Sequence, residues 1–424
     1  MLKIYFDWNC ITHSKDKYPD ILDIAEKYRD MFIFPFSNAH IRDILVSHKE
    51  ENEYYNSDLV LLERICGKHY LLFEDGQMRP MLATPNEVIK VSGNTFETIQ
   101  NLEFISPHNY SSIKDEIKKL LPSNIYKTIQ GADPKNVITI IDDYIAKEFP
   151  THNLESLLSL YQPNVGQIIN LESRFKTMCL ALDLFGFRPE KKNKQLMNID
   201  TDACHIFYAG HCDIFVTADR KLRGKAEAIY RRFNYQTRIL LPKEFESFIR
   251  DELDKEYSLT YMSEVIDEYG ISRIENDGAH YKILPNHILG TFNVCHKFDE
   301  FCGYEDASKV GMFRYSFNNT PYLFYTEINH FFNLIESFLQ PSEKGVFREA
   351  YVKPLLSKND KITSTAKFTL NIKDFDIKIE LHSDPINTIN TPMMMLYYGN
   401  RYKELYNKFI NKKNDNKAST PTDI

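Results

Sequence analysis

The stretch NIDTDACHIFYAGHCDIFVTADRKLRGKA, residues 198–226, decides the fold. Ala203, Ile206, Phe207 and Ala209 recur at helical spacing, so residues 201–209 are expected to form a helix. Asp213-Ile-Phe-Val216 is apolar after its first residue and of strand length. Thr217-Ala-Asp219 closes that strand. In an open parallel sheet, groups at the carboxyl ends of strands line the ligand crevice. This places Asp219 at the crevice and Asp213 at the far end of its strand. Asp202, on the helix before, is within reach of the same crevice. Asp200 competes with it, although Asp200 also reads as the N-cap of that helix.

Working outward, the first fifty residues offer partners for these acids. Lys3 to Phe6 is β-prone and delivers Asp7 at its tip, with Asn9 two residues on. The bland reading of Asp-x-Asn there is an Asx turn. The sharper reading is a carboxylate and an amide at a strand end. Pro19 to Tyr28 is amphipathic. Met31-Phe-Ile-Phe-Pro-Phe36 reads as a second strand, and Ser37 as the N-cap of a helix over 38–48. His40 and Asp43 share a face of that helix. The bland alternative for Asp43 is a solvated acid paired with Arg42 or Lys49. Tyr70 to Phe73 is a third strand candidate.

The chain has 424 residues, too many for one ordinary core, so two or three domains are expected. Its 43% hydrophobic and 26% charged content places it among soluble globular proteins. A net charge of −7 excludes an overall electrostatic grip on nucleic acid and leaves a local basic patch as the remaining route. Met1-Leu-Lys leads directly into a strand, so no secretory leader is expected. No apolar run approaches the roughly 20 residues of a membrane span. The seven cysteines include no CxxC pair and read as free thiols in a reducing cytoplasm.

Residues 75–185 interrupt the α/β rhythm with helical patterns near 111–121, 137–148, 154–161 and 165–185, an inserted helical layer punctuated by prolines. Gly186 reads as a helix C-cap, and Lys191-Lys-Asn-Lys194 as a basic linker. Thr237 to Leu241 is the expected last strand of the sheet, and Pro242 opens a helix to about Leu253. Residues 255–410 are expected to form an α+β domain. Tyr322–Leu339 and Met393–Phe409 read as helices there. Phe368–Ile372 and Ile377–Leu381 read as strands of a hairpin turning through Lys373–Asp376. Cys295, His296 and Cys302 lack the spacing of a zinc site. Residues 411–424 have the composition of a disordered tail.

Asp7, Asp43, Asp202 and Asp219 are far apart in sequence, yet a doubly wound sheet brings all four to one crevice. Clustered carboxylates repel unless cations neutralise them, and oxygen-rich sites favour Mg²⁺ or Mn²⁺. The pieces Asp7-Trp-Asn9, Pro35-Phe-Ser-Asn-Ala-His-Ile-Arg-Asp43, Asp202-Ala-Cys-His205 with Tyr208-Ala209, and Thr217-Ala-Asp219, in this order, resemble the PIN-domain nucleases. The resemblance covers residues 1–75 and 175–250. It implies a PIN-like parallel sheet flanked by helices within a domain of residues 1–250. It also implies metal ligation by Asp7, Asp202 and Asp219, with Asp43 standing where many members have Glu. Asn9, Ser37 and Thr217 would position ligands or water.

His40 and His205 pack beside the site or orient the substrate phosphate. Arg220, Lys221, Arg223 and Lys225 leave the site directly and are candidate phosphate contacts, the alternative being a solvated helix face. The expected activity is metal-dependent phosphodiester hydrolysis, in single-stranded RNA before DNA. By analogy, the setting is a bacterial defence or stress system such as a toxin–antitoxin pair. The C-terminal domain would sense, bind a regulatory partner or form a homo-oligomer. The rivals are a PIN-like module that binds without cutting, and another Mg²⁺-dependent phosphohydrolase. The latter would need an early Asp-x-Asp, where this chain has Asn9.

Overall fold

The computed structural model describes residues 1–47, 53–91, 107–156, 171–190, 196–254, 281–282, 293–296, 309–313, 341–349, 368–372, 375–383 and 392–397, with single residues 324, 326, 333 and 336. The chain divides into two compact units, Leu2–Arg250 and Asp251–Ile424, Met1 grouping with the latter.

The first unit opens with β1 (Leu2–Phe6), buried along its whole length, then the short α1 (Trp8–Thr12). α2 (Pro19–Lys27) starts with proline at its first position, where no amide is needed. It leads into β2 (Phe32–Ile33), β3 (Phe36–Ser37), α3 (Asn38–Ser47), α4 (Glu53–Cys66), β4 (His69–Glu74) and β5 (Gln77–Leu82). A helical stretch follows: α5 (Pro107–Leu120), α6 (Ser123–Gly131), α7 (Val137–Glu148) and α8 (Leu171–Leu184). The unit closes with α9 (Leu196–Gly210), β6 (Ile214–Val216), α10 (Arg220–Arg232), β7 (Arg238–Leu240) and α11 (Pro242–Leu253), the last crossing the boundary between units.

The central sheet has four strands in the order β2-β1-β6-β7, and every pairing in it is parallel. β1 and β6 are interior strands, which explains why LKIYF and IFV are buried runs rather than alternating ones. α9 packs on both strands, and α10 packs on β7. Asp213 precedes β6 and is buried, its Oδ2 accepting the Lys3 amide at 2.8 Å. This acid therefore anchors the start of β1, at the end of the sheet away from Asp7.

Two sequence expectations need correction in this unit. Met31 to Phe36 is not one strand. β2 joins the central sheet, while β3 pairs with β4 in a separate three-stranded sheet ordered β3-β4-β5. Pro35 stands between them and has no amide to give a ladder. The stretch after Glu74, expected as an inserted helical layer, also begins with a strand. Asp75 and Gly76 have φ of 53° and 75° and turn β4 back into β5, the conformation an Asp-Gly hairpin adopts. Pro80 fits in β5 because that strand is an edge, where proline is tolerated.

The helical stretch is tied to the core by a buried ion cluster. Asp183 of α8 is fully buried and accepts hydrogen bonds from Tyr110 and Lys114 of α5, from Lys225 Nζ of α10 at 3.1 Å and from the Glu190 amide at 2.8 Å. Burial raises its pKa, but Lys225, Lys114, Tyr110 and the Glu190 amide outweigh that and hold it below the ordinary value. α8 ends at Gly186 with φ +88°, where a Cβ would lie 2.5 Å from the Tyr126 ring, so only glycine fits.

The second unit contains a six-stranded antiparallel sheet. Its strands are β8 (Tyr281–Lys282), β9 (Asn293–His296), β10 (Lys309–Phe313), β11 (Phe368–Ile372), β12 (Phe375–Ser383) and β13 (Pro392–Tyr397), in the order β11-β12-β13-β10-β9-β8. α12 (Pro341–Phe347) precedes β11. The expected hairpin is present, but Ile372 pairs with Phe375, so its turn is shorter than Lys373–Asp376. The expected helix from Met393 is instead strand β13 as far as Tyr397, because pairing with β10 and β12 on both sides overrides the helix propensity of Met and Leu. Most of the expected helices 322–339 and 154–161, the linker 191–194, Cys302 and the tail 411–424 lie outside the described residues.

Removing the buried charge of Lys225 should be costly. Lys225→Met is expected to lose about 3 kcal/mol of unfolding free energy, read from the urea midpoint. A change within error would mean that the cluster contributes nothing.

Candidate active site

Phe6 pairs with Val216, so Asp7 and Thr217 leave the sheet side by side at the carboxyl ends of β1 and β6. Asp7 occupies the N-cap position of α1, yet its carboxylate caps nothing. The Asx-turn reading therefore fails. Thr217 Oγ1 instead donates to Asp7 Oδ2 at 2.9 Å and accepts the Asp219 amide at 3.1 Å. Asp219 Oδ1 accepts the Lys221 and Leu222 amides at 2.7 and 3.2 Å and so caps α10. One buried hydroxyl thus joins both strand-end acids.

A second arm comes from α3 and α9. His205 Nε2 lies 2.7 Å from Asp43 Oδ2, and its Nδ1 lies 3.0 Å from the Tyr5 hydroxyl. A carboxylate only accepts, so Nε2 carries a proton and donates. Tyr5 Oη is 2.7 Å from Ser37 Oγ, which also accepts the Ala39 amide at 3.2 Å. Burial works against charge on His205, but the Asp43 hydrogen bond and the fields of Asp43, Asp7 and Asp202 outweigh it and raise its pKa.

His40, fully buried, is the opposite case. Its Nδ1 accepts the Ser37 amide at 3.1 Å, which leaves Nε2–H to donate to the Phe6 carbonyl at 2.8 Å. Burial, reinforced by His205, pushes its pKa well down. The two rings stand nearly perpendicular, 4.9 Å apart. His40 therefore fixes the backbone just before Asp7, and His205 fixes Asp43.

Asp7 is 3% exposed. Burial raises its pKa first of all; His205 and the Thr217 hydroxyl lower it, Asp43 and Asp219 raise it again, and the net shift is upward. Asp202 is half-buried and contributes to the field at His205. These acids therefore share one electrostatic neighbourhood. Asp7, Asp43 and Asp219 each hold one oxygen in the protein bonds described and keep the other without a hydrogen bond among the described residues. Such oxygens suit a hard divalent cation, which would relieve the mutual repulsion. The fit is one of donor chemistry: among the described residues, no three His, Cys, Asp or Glu side chains form a ready-made metal-holding group.

Other candidates fall away from this centre. Asn9 is exposed on α1. Asp200 is not an N-cap, because α9 already begins at Leu196; it pairs with Arg42 at 2.6 Å and Lys176 at 3.5 Å. Three of the four basic candidates have protein partners, and for Lys225, which is buried, this corrects the expected phosphate role. Lys225 is buried against Asp183 and Glu190. Lys221 Nζ donates to the Pro189 carbonyl at 2.6 Å, and Arg223 pairs with Glu227 and Glu244. Arg220 is exposed. The residue that sequence reasoning missed is Tyr5. Its one signal was a hydroxyl between Ile4 and Phe6 in a strand expected to be buried, where a tyrosine needs a partner.

Because the folded pKa of Asp7 is raised, its ionised form costs stability at neutral pH. Stability is therefore lost as pH rises from the unfolded value through the folded one. Asp7→Asn, which can still accept from Thr217, is expected to raise the urea midpoint at pH 7. The gain should vanish below pH ~4, where aspartate is protonated even in the unfolded chain. A variant less stable at pH 7 would show that the carboxylate is structural.

Comparison of the chain with protein-family models, with curated proteins and with solved structures finds no match.

Proposed function

We propose that the chain is a metal-dependent endonuclease acting on single-stranded RNA in preference to DNA. The observation that carries this reading is the buried Asp7 carboxylate at the carboxyl end of the parallel strands. It is oriented by Thr217 and lies in the combined field of Asp43, Asp219 and His205. A carboxylate kept costly at a strand end, with an oxygen to spare, is what function retains and stability does not.

Asp7, Asp202 and Asp219 would hold Mg²⁺ or Mn²⁺, with Asp43 beside them. Such an ion, when bound, activates water and stabilises charge on phosphate oxygens. Thr217 and His40 act through Asp7 by fixing its carboxylate and its backbone. His205 acts through Asp43 by holding one carboxylate oxygen and turning the other outward. Arg220, the exposed cation beside the cap, is the residue placed to meet a substrate phosphate. The second unit is proposed as a regulatory or partner-binding element, in keeping with a defence or stress role. Among the described residues, no helix is long and apolar enough to cross a membrane.

A PIN-like module that binds without cutting is the second reading. It is favoured by the His205 bond, which already engages one oxygen of Asp43 within the protein.

Labelled single-stranded RNA, single-stranded DNA and duplex, incubated with Mg²⁺, Mn²⁺ or EDTA, separate the two readings. Cleavage should require the ion. It should fall at least about 100-fold in Asp7→Asn and Asp219→Asn, and about 10–100-fold in His205→Ala, where the support of a proposed ligand is lost. Cleavage that persists in EDTA or in both aspartate variants would sink the nuclease reading. RNA binding without cleavage would favour the binding module.

A further inference from the structure

Four side chains at the acidic centre close a ring of hydrogen bonds that starts and ends on one helix. The Ala39 amide, in the first turn of α3, donates to Ser37 Oγ at 3.2 Å. Ser37 Oγ lies 2.7 Å from Tyr5 Oη, which lies 3.0 Å from His205 Nδ1. His205 Nε2 donates to Asp43 Oδ2 at 2.7 Å, and Asp43 stands about one turn after Ala39 on α3. The ring therefore joins β1, β3, α3 and α9.

Its members differ in access to water. Tyr5 and Ser37 are fully buried and His205 is 1% exposed, whereas the Asp43 side chain is 25% exposed. The chain of bonds thus leads from the interior to the one acid that can meet a ligand.

The chemistry of the links fixes the imidazole. Nε2 must carry a proton to meet a carboxylate. Nδ1 meets a hydroxyl, which donates to a bare nitrogen or accepts from a protonated one. Ser37 takes the complementary part toward Tyr5, so the orientation of His205 holds in either charge state. Turning the ring over would set its carbons against both the Tyr5 hydroxyl and Asp43 Oδ2.

The simpler account is that a buried tyrosine hydroxyl needs a partner. A backbone carbonyl meets that need, as the Ile206 carbonyl does for Tyr230 at 2.6 Å. Satisfaction alone accounts for a bond at Tyr5. It does not account for a path that runs through a histidine to a half-open carboxylate beside Asp7.

We propose that Tyr5 and Ser37 are positioning residues of the acidic centre: they lock the His205 ring and through it aim the second Asp43 oxygen at a bound divalent ion. The aim rests on the nuclease reading; the lock does not.

Mn²⁺ binding to the full chain, read from the electron paramagnetic resonance of the free ion, tests the aim. ¹⁵N–¹H spectra of histidine-labelled protein test the lock. Tyr5→Phe should weaken Mn²⁺ binding about tenfold and shift or abolish the protected His205 Nε2–H resonance. Ser37→Ala should act in the same direction. Because Ser37 acts only through Tyr5, the double variant should bind Mn²⁺ no more weakly than Tyr5→Phe alone. Tyr230→Phe removes a buried hydroxyl bond outside the ring, so it should lower Tm and leave both the Mn²⁺ affinity and the His205 resonance unchanged. The proposal is overturned if a folded Tyr5→Phe keeps its Mn²⁺ affinity or its His205 resonance. It is overturned equally if Tyr230→Phe weakens Mn²⁺ binding as much, or if the losses in Tyr5→Phe and Ser37→Ala multiply. A wild-type chain that takes up no Mn²⁺ would remove the metal reading and the aim with it, while the His205 resonance still decides the lock.

Discussion

Removing a carboxylate from water is among the least favourable things a fold can do, and the Asp7 end of the sheet is arranged around that cost. Asp7 keeps one hydrogen bond, from Thr217, where full satisfaction of its lone pairs would take several. The repulsion from Asp43 and Asp219 adds to the burden. The counterweight within the protein is His205, whose proton-bearing ring is pinned between Asp43 and Tyr5. Everything nearby serves to hold these groups still. His40 fixes the Phe6 carbonyl, Ser37 fixes Tyr5 and the start of α3, and Asp219 ends the opposing strand by capping α10.

The two histidines show how burial alone does not determine a charge state. Both are nearly inaccessible, and their rings touch edge to face. His40 is bonded to a backbone amide and a backbone carbonyl, which together demand one proton on one nitrogen and give no reward for a second. His205 faces a carboxylate on one side and a hydroxyl on the other, a pair that accommodates two protons. The difference lies in the partners, and each partner comes from a different stretch of chain.

This explains which parts of the structure were legible beforehand. The Asp7, Thr217 and Asp219 positions followed from local pattern, because a strand tip is defined by the apolar run that precedes it. Helix 137–148 and the proline-started helix at 242 were equally local. The Arg-Lys run after Asp219 was not. Its residues look alike in sequence, and only long-range contacts with Asp183, Pro189 and Glu244 decide which are buried, which are paired and which face water. The same holds for Met393–Tyr397, whose composition suits a helix until strands on both flanks claim it. Asp200 and Asp202, two residues apart on α9, fall on different sides of it, so one joins Arg42 and Lys176 while the other contributes to the field at His205.

The placement of positive charge bears on how a polyanion could be recognised at all. With a net charge of −7, the chain offers no general attraction to nucleic acid. The basic residues of α10, a candidate local track, are mostly engaged with acids of α7, α8 and α11. Among the described cations of α10, Arg220 is the one left outward at the acid end, beside a set of carboxylates that repel phosphate. On the nuclease reading, attraction for the substrate is therefore supplied chiefly at the reacting phosphate, by an ion the acids hold, and little is spent along the strand. Such a site would discriminate by fit at one phosphate more than by a long electrostatic footprint, and its affinity would depend less steeply on salt than that of a protein neutralising many phosphates at once.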